Sequence, residues 1–318
     1  MEFTTSKEED VTSKQKRDVA QDVTDRIIES LEAGVVPWKR PWKSIGGVAR
    51  NLNSNRPYRG VNVLLTALTS MSKGYSDNRW ATFNGIKRAG GSVRKGEKGT
   101  LVILWKPIEK KDKETGETTD KFLMLKGYTV FNVEQADFPE GVLKPEIDED
   151  DLRAHETDER AETVIERYVD ESGVKVSHGG NSASYFPLMD EVRLPKPEQF
   201  DTGDAYYATA FHEFVHSTGH ESRLNRLDST TFGSEPYAQE ELVAEIGASM
   251  LCAFTGIEPK VEASAAYIGT WLRVLRDDKR FIVQAAAKAQ KATDLILGTK
   301  FEEKETSDKE EATATAVA

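Results

Sequence analysis

The chain has 318 residues, 38% hydrophobic and 31% charged, with a formal net charge of -11; this suits a water-soluble protein with room for two hydrophobic cores. No apolar run reaches the roughly 18 residues that a membrane span needs, and the opening MEFTTSKEEDVTSKQKRD lacks the apolar centre of a signal peptide, so the expected location is the cytoplasm. The single cysteine, Cys252, excludes an internal disulfide and a cysteine-rich zinc finger, so any metal site must be built from histidines and carboxylates.

The charge is unevenly placed. Between Val35 and Lys110 fifteen Lys and Arg stand against Asp77, Glu97 and Glu109, a local excess of twelve positive charges, and the rest of the chain is acidic. Such a split predicts a polyanion-binding module joined to an acidic one. At its start, Val19, Val23, Ile27, Ile28 and Leu31 recur at helical spacing and predict a helix over 13–33, stopped by Gly34. In the following VVPWKRPWK two prolines break the helix, and Trp38 and Trp42 alternate with Lys39, Arg40 and Lys43. Flat rings beside cations suit single-stranded nucleic acid, whose bases stack while Lys and Arg follow the phosphates; packing of the rings beneath the first helix is the competing expectation.

Arg56, Tyr58 and Arg59 cluster in the turn-rich stretch 51–62 and join the expected nucleic-acid contacts. Short helices are predicted over 63–71 and 82–88. The turn 92–99 carries Arg94, Lys95 and Lys98 beside two glycines whose backbone can approach a phosphate, although solvated lysines on a strand turn explain it equally well. Strands over 101–105 and 123–133, joined by a charged loop, complete an N-terminal α+β module over 13–136.

A Pro-, Gly- and acid-rich linker over 137–151 leads to a mainly helical C-terminal module over 152–298. It opens with a helix to 172, a short strand over 174–176 and two edge-strand segments near 184–187 and 191–195, where Pro187 and Pro195 are tolerable. A helix over 204–218 follows, then one from 235 to 256 and two more over 261–275 and 278–297; residues 299–318 form an acidic tail expected to be disordered. The fold class is therefore α+β in two domains, an N-terminal α+β module and a helical C-terminal domain with a small sheet.

The helix over 204–218 carries His212-Glu213-Phe214-Val215-His216, an HExxH pattern. At 3.6 residues per turn His212 and His216 project from one face with Glu213 beside them, the layout of a catalytic zinc site in which two imidazoles hold the metal and the carboxylate is the general base. A third protein ligand is needed. The HExxHxxGxxH version fails because Ser222 stands where its third histidine would be, and His220 lies beyond the helix-ending Gly219. On the next helix Glu241 and Glu245 share a side bordering the apolar stripe of Ala238, Leu242 and Ile246, whereas Glu240 points about 100° away. One of the pair can bind metal while the other accepts the free N–H of a ligating histidine. The spacing resembles the Glu-x-x-x-Asp of thermolysin-like zincins, with Glu241 in the ligand place and Glu245, one methylene longer than Asp, in the orienting place. Tyr237 and Tyr267 are alternative donors to an oxyanion. Zinc is the default ion for two His and one Glu, with Mn2+ as the alternative.

Over nearly its whole length the chain resembles ArdC-type antirestriction proteins of conjugative plasmids and phages. The resemblance rests on Pro37-Trp38, the segment from Arg56 to Asn62, that from Arg94 to Gly99, that from Val130 to Gln135, His212 to His220 with Ser222-Arg223-Leu224, Glu240 to Glu245, and Ala266-Tyr267-Ile268 with Trp271. The N-terminal half is also similar to the leading segment of TraC-type plasmid primases. The resemblance implies a domain binding single-stranded DNA, a zincin-like metallopeptidase domain, and a role in protecting incoming plasmid DNA from host restriction. A peptidase acting on an unknown protein, with a component of host restriction as one candidate, is the leading expectation. Its rivals are a DNA-occluding protein with a structural or idle metal site, and an accessory module of a primase or transfer apparatus.

Overall fold

In the computed structural model, residues 18–38, 45–111, 118–143, 156–227, 235–258 and 265–299 are described. The expected linker from 144 onward and the tail beyond 299 lie outside them, as do Lys39, Arg40, Trp42 and Lys43.

The first helix, α1 (Val19–Glu32), buries the stripe Val23, Ile27 and Leu31 that its spacing predicted, and Asp18 caps it by accepting from the Gln21 N–H at 3.2 Å. Next come β1 (Ile45–Asn51), α2 (Val61–Lys73), β2 (Asp77–Thr82), α3 (Phe83–Arg88), β3 (Ser92–Val93), β4 (Thr100–Lys111), β5 (Thr118–Asn132) and β6 (Ala136–Asp137). Four of these strands form a sheet in the order β1-β2-β5-β4, with β1 parallel to β2 and the other pairs antiparallel, while β3 and β6 pair separately. Neither β1 nor β2 was anticipated. Ile45-Gly46-Gly47 has no alternation of its own, and these strands owe their form to pairing with each other and with β5. Asn62 at the start of α2 is fully buried and exchanges two hydrogen bonds with the backbone of Ile103 on β4, at 2.7 and 2.8 Å, which pins helix to sheet.

The C-terminal part runs α4 (Glu156–Ser172), β7 (Lys175–His178), β8 (Ser184–Phe186), β9 (Glu191–Leu194), α5 (Gly203–Ser217), α6 (Glu235–Thr255), α7 (Ala265–Asp277) and α8 (Phe281–Leu297). Its sheet has the order β7-β9-β8, with β7 parallel and β8 antiparallel to β9. The helix α5 packs between this sheet and α6, and α6 packs in turn on α8. The architecture is thus two-domain α+β, with the small sheet in the helical half. No described helix is long and apolar enough to cross a membrane.

The two halves share one apolar cluster, running from Val23 and Ile27 through Leu64 and Ile103 to Phe214, Leu242, Ile282 and Ile296. Three expected DNA contacts are buried, two of them at this junction. Trp38 is 1% exposed and meets Trp271 of α7 edge to face at 5.4 Å. Tyr58 is also 1% exposed. Arg59 is buried in a two-pronged ion pair with Asp294 of α8, beside a 3.0 Å bond from the Gly60 N–H to Gln290 of the same helix. A ring or guanidinium inside a core cannot stack on a base or reach a phosphate, so these residues are corrected to structural ones. Two surface ion pairs, Lys279 with Asp18 and Arg276 with Glu32, also cross the junction.

Candidate metal centre

Thr202 accepts the Ala205 N–H at 3.2 Å and so starts α5 where its sequence allows. The buried side of α5 holds Phe211, Phe214 and Val215; Phe214 meets Tyr168 of α4 edge to face at 5.9 Å, and the Tyr168 hydroxyl lies 2.9 Å from Ser217 Oγ. These contacts fix the helix's rotation about its axis, and with it the direction of its histidines. The neighbouring helix α6 comes close because Gly247 has no side chain: a Cβ there would lie 2.9 Å from Val215 Cγ2. Val215 sits between the two histidines, so this close approach carries Glu240 and Glu241 to them.

One donor atom each from His212, His216 and Glu241 lies within 4.8 Å of the others. The two Nε2 atoms are 3.2 Å apart, and Glu241 oxygens stand 3.6 Å from that of His212 and 3.5 Å from that of His216. Glu213 is 8% exposed at the next position along the helix. His220, beyond the helix end, turns to Ser222 at 2.8 Å and is not among the converging donors.

An orienting contact that was not expected lies on Glu240. His216 Nδ1 lies 3.1 Å from Glu240 Oε1, so Glu240 accepts from this ring; its direction, about 100° from Glu241 around α6, takes it to the far edge of the imidazole. Arg226 grips the same carboxylate with two bonds of 2.8 Å and also donates to Thr218 Oγ1 at 2.7 Å and to the Val215 carbonyl. Neither Arg226 nor this use of Glu240 was anticipated: Arg226 sits in the connection after α5, where nothing local marks it as buried. Because a carboxylate can only accept, Nδ1 of His216 carries the proton and Nε2 is aimed at the cluster.

Electrostatically the cluster is short of positive charge. Burial alone would lower the His216 pKa, but the carboxylates of Glu240 and Glu241 more than reverse this and raise it to about 10. Burial likewise opposes ionisation of Glu241, yet the two imidazoles hold it well below the usual carboxylate range. A cation among these groups would relieve the same imbalance.

Tyr237 is half-buried one turn before Glu241 on α6. Tyr267 falls in α7, but its side chain lies outside the described residues. Of the expected DNA contacts, Arg56, Arg94, Lys95 and Lys98 are exposed.

The comparisons with known proteins follow the same division. Residues 17–131 match the N-terminal domain of anti-restriction factor ArdC, and residues 163–288 match a zincin-like metallopeptidase. The chain is 37% identical over 310 residues to a DNA primase TraC of Escherichia coli, covering 91% of this chain but only 28% of the primase. It is 36% identical over 296 residues to the uncharacterized protein y4eC of Sinorhizobium fredii, covering 90% of this chain and 93% of that protein. Among solved structures, the metal-free antirestriction protein ArdC from plasmid R388 superimposes with a TM-score of 0.74 at 41% identity, over 88% of this chain and 97% of that one. The Mn(II)-bound structure of that protein gives 0.72 at 39% identity, over 89% and 98%. Since the likeness runs nearly end to end through both halves, this chain belongs to the ArdC family of antirestriction proteins.

Proposed function

We propose that the chain binds single-stranded DNA and carries a metal-dependent peptidase site, His212, His216 and Glu241 with Glu213, which serves to protect a mobile element's DNA from restriction. The observation that carries this reading is the convergence of those three donor atoms within 4.8 Å beside a buried Glu213. The donor set fits a divalent ion: two imidazoles and one carboxylate leave open positions, and the Glu240 contact leaves the His216 Nε2 lone pair available. His212, His216 and Glu241 would hold the ion, which would supply Lewis acidity and a water of lowered pKa. Zinc remains the default for this set, and the manganese in ArdC of plasmid R388 supports the alternative.

Glu213 takes a proton from the attacking water and returns it to the leaving amine; its burial keeps that transfer away from bulk solvent. Tyr237 or Tyr267 would supply the donor to the oxyanion. The protein cut would be one met on the strand, or a component of host restriction. Metal analysis of the purified protein tests the site: one divalent ion per chain is expected, and retention of it in His212→Ala would refute the assignment. Glu213→Gln is expected to keep the ion and lose hydrolysis. The exposure of Arg56, Arg94, Lys95 and Lys98 favours one other reading, protection by occupancy of the strand; full protection by Glu213→Gln in a transfer assay would establish it in place of proteolysis.

A further inference from the structure

Phe83, at the first turn of α3, is 56% exposed, the one aromatic among the exposed large hydrophobic side chains of the described N-terminal half. A ring left in water forgoes the stabilisation that its burial would supply. Its outer edge is not unsupported. Phe131 of β5 meets it edge to face, with centroids 6.4 Å apart and planes at 71°. The basic turn runs against Phe131: a Cβ on Gly99 would lie 3.0 Å from the Phe131 ring and 2.3 Å from Thr129 Cγ2, so only glycine lets Lys98 and its neighbours pass there. Lys95 and Lys98 are exposed and make no ion pair with another described residue. The loop before α2, which carries exposed Arg56, also reaches α3 through a 3.3 Å bond from Asn53 Nδ2 to the Gly85 carbonyl.

We propose that Phe83, backed by Phe131, is the platform on which an unpaired base stacks, with Lys95, Lys98 and Arg56 taking the neighbouring phosphates. This rests on the single-strand reading above and moves its stacking surface away from Trp38 and Tyr58, which lie in the core. A phenyl face accepts any base and a duplex hides base faces, so the occupant is a single strand without strong sequence preference. The exposed cations Lys95, Lys98 and Arg56 complement its backbone.

The test is fluorescence anisotropy of the full chain with a labelled oligothymidylate and with an abasic strand of equal length, across a salt series. Phe83→Ala is expected to weaken oligothymidylate binding about tenfold or more while leaving the abasic strand and the salt slope unchanged, and Phe83→Trp to restore affinity. Lys95→Ala with Lys98→Ala is expected to lower the slope of log affinity against log salt by about 1.4. Lys288→Ala, an exposed change on α8, is the control. If the unaltered chain binds oligothymidylate but Phe83→Ala binds it equally well, or loses the abasic strand to the same extent, the platform is refuted and the single-strand reading stands. If the unaltered chain binds no single strand, the reading itself fails.

Discussion

Replacing Glu240 by Gln isolates the least expected part of the metal centre, because the amide keeps the shape and removes only charge and one acceptor. Glu240 accepts three donors: His216 Nδ1 at 3.1 Å and an Arg226 N–H on Oε1, and the Arg226 Nε–H on Oε2, the last two at 2.8 Å. An amide cannot serve all three. With its NH2 in the Oε2 place, a buried Arg226 donor faces another donor, at about 1–3 kcal/mol for the lost partner. With its NH2 in the Oε1 place, His216 must accept at Nδ1, so the proton moves to Nε2 and the ring no longer offers that lone pair to a metal. The expected outcome is divalent-metal affinity about 10- to 100-fold weaker, as for other residues that orient a ligand, together with a thermal midpoint lower by about 2–4 °C per kcal/mol lost. Competition against a chromophoric chelator, run with zinc and with manganese, reads the first quantity and a thermal melt the second. Affinity within about twofold of the unaltered chain, or a greater loss from Glu245→Gln than from Glu240→Gln, would refute the reasoning.

Three other outcomes follow from the packing. Trp38→Ala empties a buried ring site against Trp271 and is expected to cost about 3–5 kcal/mol in chemical denaturation with unchanged single-strand affinity; weakened DNA binding at full stability would restore Trp38 to the nucleic-acid surface. Arg59→Ala leaves Asp294 without its partner at the junction and is expected to cost toward the lower end of about 3–5 kcal/mol, since Asp294 is 20% exposed; a loss of DNA affinity with no change in stability would contradict the structural role. Arg223, and after it the Tyr185 hydroxyl, hold the Asp190 carboxyl below its ordinary value even though burial opposes this. Its stabilising contribution is therefore complete above the unfolded value of about 3.9 and fades as pH falls through the lower folded value. Asp190→Asn, tolerable at φ 46°, is expected to flatten the acid limb of a pH–stability profile, and an unchanged limb would show that other carboxylates set it.

Much of the candidate centre was legible because it is local. The HExxH spacing and helical periodicity alone put His212 and His216 on one face, and the buried stripe Ala238, Leu242 and Ile246 put Glu241 at its border; the folded chain brings these donors together. Rotation around the same helix also set Glu240 aside as a ligand. That rotation carries it to the outer edge of His216, a contact across 24 residues that depends on how closely α6 crosses α5 at Gly247. Arg226 gave no signal in sequence, since an arginine in a connection is ordinarily solvated.

The basic, aromatic-rich character of the N-terminal half is likewise a property of composition, and so is its α+β class. Composition could not tell which rings and cations face water. Trp38, Tyr58 and Arg59 read the same in sequence as residues that stay outside, yet all three are buried, Trp38 against Trp271 of α7 and Arg59 against Asp294, 235 positions away. Phe83, with no cation beside it in sequence, stays exposed because the chain turns from β2 into α3 at that point. Periodicity and motif spacing are set by neighbours along the chain, so the sequence by itself determined the helices, the facing histidines and the charge split. Burial and partner choice are set by segments that meet only on folding, so the tertiary structure alone decided which residues became core, junction, orienting contact or surface.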